Sequence, residues 1–235
     1  VNNDRNLAAL YMRGINIESS ATPVTINGNS SASSVGGITI QRVSNTGNND
    51  IHIDSQYTRE FVLLGDIRTT GKLTLDLGTV ERVHRANSEL DPILQAQTLE
   101  INAASALTVG YGSNPLKLDV GSGGLKVSAA GAINLREVSG DLLINEIVNY
   151  PLPETSLVSV NIVVEDGSLL AKDNALIVSK EVDFTASADI DLSNTALVVD
   201  ASIDLDGTNV SVFGDSLALG TVKASGNFTA TAAEA

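Results

Sequence analysis

Two pairs of aspartates near the end of the chain offer the clearest candidate chemistry. Asp189 and Asp191 stand on either side of one isoleucine, and Asp204 and Asp206 stand on either side of one leucine. On a strand, such neighbours share a face, so each pair would present two carboxylates to solvent. Carboxylate oxygens are ligands of Ca²⁺, and the four side chains are therefore weak calcium candidates. The glycine-rich nonapeptide of calcium-binding β-rolls is absent from the sequence, which favours the alternative that they are solvated surface acids.

The two histidines, His52 and His84, give no indication of a metal site. Neither has a second histidine at the spacing of metal ligands, and the chain has no cysteine. His52 stands between two isoleucines, which places its ring on the outer face of a strand. We expect both side chains to be surface imidazoles.

An enzyme of the polysaccharide lyase or hydrolase type would need acids in a groove and aromatic platforms for sugar rings. The chain has four Tyr, four Phe and no Trp, and Tyr57, Tyr111 and Tyr150 are far apart in the sequence. The sequence contains no nucleophile elbow, phosphate-binding loop or Cys/His cluster. We therefore expect no catalytic residues, no cofactor apart from the calcium candidates, and no enzymatic activity.

Short apolar–polar–apolar triplets, repeated about every eight residues, are the elements that must position these side chains. Alternation with a period of two is typical of strands that have one buried face. Gly, Ser, Asn and Asp fill the intervals, as expected for a repeat of short strands. The clearest triplets start at Leu73, Leu99, Leu107, Leu116, Leu125, Ile133, Val182, Ile190, Ile203, Val210 and Leu217. Weaker ones start at Ile15, Val24, Ile38 and Ile51.

Three strands with this spacing make one coil of roughly 24 residues, so the fold class that we predict is all-β, a parallel β-helix of about nine or ten coils. We expect residues 1–235 to be a single solenoid segment of a longer protein. Three stretches interrupt the pattern and are predicted as extruded loops: 27–37, 79–92 and 148–156. The charged stretch 79–92 could alternatively hold a short helix.

The alternation also predicts which side chains face the interior. We expect burial of the apolar residues Leu118, Val127, Leu135, Ile190, Leu192, Ile203 and Leu205, and exposure of the polar residues Lys117, Lys126, Asp191 and Asp204. An internal repeat aligns residues 64–74 with 219–229, including two glycines in each copy. These glycines fall at predicted corners, where we expect a positive φ.

Composition limits the partners. The net charge is −14, and residues 91–235 carry 19 acidic but only 6 basic side chains. Such a surface argues against nucleic acid and anionic lipid as partners. No apolar run approaches the roughly 20 residues of a membrane-spanning helix. The absence of cysteine suits a protein exported unfolded, which must then gain stability from repeated strand pairing.

Residues 219–230, with their copy from Leu64, and residues 131–144 resemble repeats of large bacterial exoproteins. The second stretch, GAINLREVSGDLLI, follows the pattern Gly-aliphatic-x-Leu-x-Glu-x-x-Gly-Asp-Leu. This pattern is similar to repeats of the leukotoxin-type filamentous adhesins, and the first stretch to those of filamentous-haemagglutinin-like adhesins. The resemblance implies a right-handed β-helix, secretion to the cell surface and an adhesive or matrix role, and it carries over no catalytic residue.

Two functions stay open at this point. The first is a structural or adhesive module of a secreted bacterial surface or matrix protein. Its partners would be further coils or copies stacked end to end, and host or neighbouring-cell surfaces, including glycans. The second is a carbohydrate-binding or polysaccharide-degrading β-helix of the tailspike type. A groove with two or more acids around an aromatic shelf would favour the second, and smooth polar faces would favour the first.

Overall fold

The computed structural model describes residues 15–19, 24–28, 37–45, 47, 49–55, 60–78, 80–85, 91–149 and 158–232. These residues form twenty strands in one sheet, and no helix occurs among them, so nothing in these ranges could cross a membrane as an apolar helix. The strands are β1 (Ile15–Ser19), β2 (Val24–Gly28), β3 (Gly37–Asn45), β4 (Ile51–Ser55), β5 (Glu60–Leu63), β6 (Ile67–Thr69), β7 (Lys72–Asp76), β8 (Arg82–Arg85), β9 (Ile93–Ala103), β10 (Thr108–Val109), β11 (Leu116–Ala129), β12 (Ala132–Glu137), β13 (Leu142–Asn149), β14 (Ser159–Val164), β15 (Leu169–Ala186), β16 (Ile190–Leu192), β17 (Thr195–Gly207), β18 (Val210–Gly214), β19 (Leu219–Ala224) and β20 (Phe228–Ala232).

The strands pair in parallel and stack into columns along a β-solenoid of about eight turns, close to the nine or ten expected. At about 4.8 Å per turn the rod is about 40 Å long. One column contains a strand segment from every turn, and we call it the long column. Its eight segments are 24–28, 51–55, 72–76, 98–103, 124–129, 146–149, 175–179 and 195–199.

The core confirms the predicted register. All seven apolar residues expected inside are at most 2% exposed. Of the four polar residues expected outside, Asp191 is exposed and Lys117, Lys126 and Asp204 are partly exposed. A slip of one residue would have exchanged these two sets. Stacked aliphatic side chains dominate the interior, and each fully buried Leu, Ile or Val stabilises the fold by about 1.5–3 kcal/mol.

The cross-section changes along the rod, which a uniform repeat does not predict. β10 and the start of β11 both pair with β12, so two separate sides merge into one from this turn onward. The last turns are also shorter than the earlier ones: Ile93 pairs with Lys117, 24 residues on, whereas Val210 pairs with Phe228, only 18 residues on. The final turns therefore enclose less space than the earlier ones.

The stretch 79–92, expected as a loop or a short helix, contains a strand. β8 pairs with β5 on one side and β10 on the other, so 82–85 belong to the solenoid wall. The other two expected loops overlap strand ends, because β2 includes 27–28 and β13 includes 148–149. Their remaining residues, 29–36 and 150–156, lie outside the described ranges, and residue 37 begins β3.

The glycines of the internal repeat are explained by space rather than by φ. The glycines with positive φ are others, such as Gly110 and Gly140. At Gly65, however, an added Cβ would lie 1.8 Å from the carbonyl oxygen of Gln41 in the turn below. At Gly226 it would lie 2.6 Å from the side-chain oxygen of Asn209. These glycines let one turn approach the next closely, so the expectation of a positive φ was wrong.

Candidate functional site

The four calcium candidates lie in two different columns. Asp189 and Asp191 belong to the β16 column, and Asp204 and Asp206 belong to the second half of β17, which pairs with β15 and β19. The structure therefore does not bring the two pairs together. Among the described residues, no group of three or more His, Cys, Asp or Glu side chains has the arrangement of a metal site.

Each of the four carboxylates has a protein partner. Asp191 accepts a hydrogen bond from the backbone N–H of Ser193 at 3.0 Å, closing a local turn. Asp204 accepts one from the backbone N–H of Thr221 in the next turn. Asp206 lies 3.3 Å from the ammonium group of Lys223. Calcium binding stays a prediction.

Asp183 joins Asp204 and Asp206 on the same outer face, because Asp183 pairs directly with Asp204. Partial burial, followed by the nearby charge of Asp204, raises the pKa of Asp183, while Lys223 opposes this effect. This acidic cluster is thus electrostatically crowded, with one lysine that reduces the repulsion.

Asp189 is part of a hydrogen-bond ladder that runs along one corner of the rod. Its Oδ1 accepts the backbone N–H of Asn209 at 3.0 Å and that residue's side-chain amide at 2.8 Å. Asn209 in turn accepts the backbone N–H of Asn227 at 3.0 Å. The same pattern begins in earlier turns of the chain, where Asp141 accepts a hydrogen bond from the backbone N–H of Ser168 at 2.8 Å. Five residues, each directly before the first residue of a strand, belong to this pattern. We call them the corner ladder: Asp141, Ser168, Asp189, Asn209 and Asn227.

A second polar network covers the outside of the long column. His52 Nε2 lies 2.7 Å from Asp76 Oδ2, one turn away, and Asn102 donates to Asp76 Oδ1 at 2.6 Å. Lys72 and Glu100 form an ion pair at 2.5 Å. Burial alone would raise the pKa of Asp76, but the hydrogen bonds from Asn102 and His52 lower it below its ordinary value. His52 is therefore on the outer face, as expected, and is bound to an acid of the neighbouring turn.

The one ring contact among the described residues joins His84 and Tyr111, edge to face, with centroids 5.4 Å apart. Beside them Asp91 bridges Arg85 and Lys117, with 2.5 Å to the lysine. The hydrogen bond and charge of Lys117 lower the pKa of Asp91. This cluster holds one aromatic shelf and one acid, and that acid is already paired with two cations. Tyr57 and Tyr150 lie outside the described residues.

Glu137 is the only acidic residue among the buried polar side chains of the described ranges, and it is 0% exposed. It follows Ile133 and Leu135 on the inward-facing positions of β12. Its carboxyl accepts the backbone N–H of Val120 at 3.2 Å and that of Ser139 at 3.4 Å. Burial raises the pKa of Glu137 to about 8, against the lowering effect of these hydrogen bonds.

Asp189 of the corner ladder was singled out in the sequence as a calcium candidate, whereas its carboxylate accepts hydrogen bonds from the next turn. The sequence does carry a sign of this ladder, because Asp, Ser or Asn recurs immediately before the apolar residue that begins each strand: Leu142, Leu169, Ile190, Val210 and Phe228. The burial of Glu137 was also missed, although it has the same parity as Ile133 and Leu135. The pairing of His52 with Asp76 requires the exact length of that turn, which the sequence does not give.

Comparisons with known proteins add no relatives: no family model, curated protein or solved structure matches this chain.

Proposed function

We propose that the chain is a structural, adhesive β-solenoid module of a secreted bacterial cell-surface or extracellular-matrix protein. The observation that carries this proposal is the direction of the outward polar contacts. Most ion pairs of the described residues join one turn to the next, as Lys126 does with Glu146 at 3.0 Å and Arg136 with Glu165 at 3.0 Å. The surface chemistry is used to connect turns rather than to converge on a pocket.

Such a surface suits a rod that makes many weak contacts. Exposed ion pairs contribute only about 0–1 kcal/mol each, but along a solenoid they repeat with every turn. Weak contacts that act together give strong attachment through effective concentration. The net charge of −14, the lack of cysteine and the resemblance of residues 131–144 to filamentous adhesin repeats support an extracellular location.

Attachment under flow tests the proposal. The purified chain is coupled to beads and passed over cultured epithelial cells and over a bacterial biofilm. The control is Leu135→Asp, which places a charge at a position that is 0% exposed and should unfold the solenoid. We expect the folded chain to retain more beads than the control on at least one surface. Equal retention of both would contradict an adhesive role.

A carbohydrate-binding role is the second candidate, and the cluster around Tyr111 favours it. A tyrosine beside His84 and a set of paired charges is the arrangement in the described residues that most resembles a sugar subsite. A glycan array probed with wild type and with Tyr111→Ala tests this role. Binding by wild type that is lost in the variant supports a glycan site at Tyr111. Absence of binding by both proteins contradicts a carbohydrate-binding role. Release of reducing ends from a polysaccharide would support the degrading form of this alternative.

A further inference from the structure

One strand edge in the wall of the rod is left without a neighbour where the turns shorten. Segment 195–199, the last in the long column, pairs with 175–179 on one side. Among the described residues, no strand pairs with its other edge. The cause is visible in the chain path. Between β16 and the second half of β17 the chain makes this segment, but between β18 and β19 only residues 215–218 remain. We call the uncovered edge the step.

The step lies beside an open groove of about 800 Å³. Val198 on the step is 52% exposed, whereas Leu197, facing inward, is 6% exposed. The hydroxyl of Thr195 is buried and has no hydrogen-bond partner among the described residues. A buried hydroxyl without a partner is uncommon in native structures, and a backbone arriving along this edge would bring donors and acceptors close to it.

Charge indicates the kind of occupant. Among the described residues, the groove is lined by Asp173 and Asp215 and by no lysine or arginine. We propose that the step binds an extended peptide segment, with apolar residues at alternate positions and a basic residue at one end, as a ninth parallel strand of the long column. Main-chain hydrogen bonds would give affinity, and alternate side chains would give specificity. This inference goes beyond the adhesive role and does not depend on it.

The strand already bound to the opposite edge of 195–199 supplies the probe. A labelled peptide with the sequence of residues 175–180, ALIVSK, has apolar residues at two alternate positions that are buried in the rod, Ala175 and Ile177, and a terminal lysine. Its binding to the whole chain is measured by fluorescence anisotropy at low and high salt. The control peptide has proline in place of the isoleucine, which removes a ladder donor.

Two matched variants locate the binding. Val198→Lys places a long charged side chain on the step, as natural edge strands do to block pairing. Thr229→Lys places the same side chain on β20, an edge at the end of the described rod, where Thr229 is also exposed. We expect Val198→Lys to weaken binding on the order of tenfold, Thr229→Lys to leave it unchanged, and added salt to weaken it.

Hydrogen exchange gives an independent readout. The bound peptide should slow exchange of amides in residues 195–199 and leave residues 228–232 unchanged. Several results would overturn the proposal: no binding of the probe, equal binding of the proline control, loss of binding in Thr229→Lys instead of Val198→Lys, or protection confined to 228–232.

Discussion

Replacing Glu137 by glutamine should remove one contribution to the fall in stability as the pH rises. Glu137 is fully buried, and its carboxyl accepts backbone hydrogen bonds from Val120 and Ser139. Burial holds its pKa at about 8, against an ordinary value of 4.5. Between these two pH values the folded chain keeps a proton that the unfolded chain has lost. The stability therefore falls as the pH rises from about 4.5 to about 8, and this residue adds no slope outside that window.

The magnitude follows from the same two values. Each pKa unit corresponds to about 1.4 kcal/mol, so the full contribution of Glu137 across the window is at most about 5 kcal/mol. Structural relaxation and water penetration reduce the cost of burying a charge, and we expect about 2–4 kcal/mol. Glutamine has nearly the same shape, keeps an oxygen that can accept from Val120, and has no proton to lose.

The assay is urea unfolding at several pH values between 5 and 9. We expect Glu137→Gln and wild type to have similar free energies of unfolding near pH 5. Near pH 8.5 the variant should be more stable by about 2–4 kcal/mol. Glu100→Gln is the matched control, because Glu100 is partly exposed and its ion pair with Lys72 lowers its pKa. The control should retain the wild-type slope over this pH range.

Parallel pH profiles for wild type and Glu137→Gln would contradict a protonated, buried Glu137, as would a variant that is less stable than wild type near pH 8.5. Either result would mean that the carboxyl is ionised in the folded chain, or that glutamine cannot replace it as an acceptor.

Three further predictions concern the core and the polar contacts between turns. Leu135→Ala should lower the free energy of unfolding by about 2–5 kcal/mol, measured by urea unfolding, because it opens a cavity in the stacked interior. Asn209→Ala should lower the free energy of unfolding by about 1–2 kcal/mol and speed hydrogen exchange at the amide of Asn227, which donates to Asn209. The control Ser211→Ala, on the outer face of β18, should change neither quantity. Equal effects of the two variants would argue against the corner ladder. Because the pKa of Asp76 is lowered in the folded chain, its ionised form contributes stability above the ordinary pKa of an aspartate, and this contribution is lost as the pH falls through the lower folded value. Asp76→Asn should therefore reduce the loss of unfolding free energy in acid, measured by urea unfolding. An unchanged loss in the variant would contradict the role of the hydrogen bonds to Asp76.

The strands and their inward faces were predictable because alternation is a local property of the sequence. That Leu118 and Ile203 face inward follows from the residues on either side of them, without knowing which turn is the neighbour. The prediction of a loop or a short helix at 79–92 was wrong because β8 has only one inward-facing side chain, Val83, and its neighbours are polar or charged. A strand of four residues with one buried side chain leaves little alternation to detect.

The candidate site was less predictable because it depends on which turns are neighbours. Turn lengths vary from 16 residues, between Ile203 and Leu219, to 30, between Ile147 and Ile177. A constant repeat of 24 therefore loses register within one or two turns. The pairing of His52 with Asp76 and the step at 195–199 both follow from these variations in length.

If a folded rod attaches through many weak contacts, its attachment must depend steeply on the density of the chain on a surface. Beads carrying increasing amounts of the chain are held under flow on the surface that retains them, and the chain's monomeric affinity is measured on the same surface. We predict weak monomeric binding and retention that rises steeply with density. Tight monomeric binding that saturates at a single site, with retention proportional to density, would contradict it.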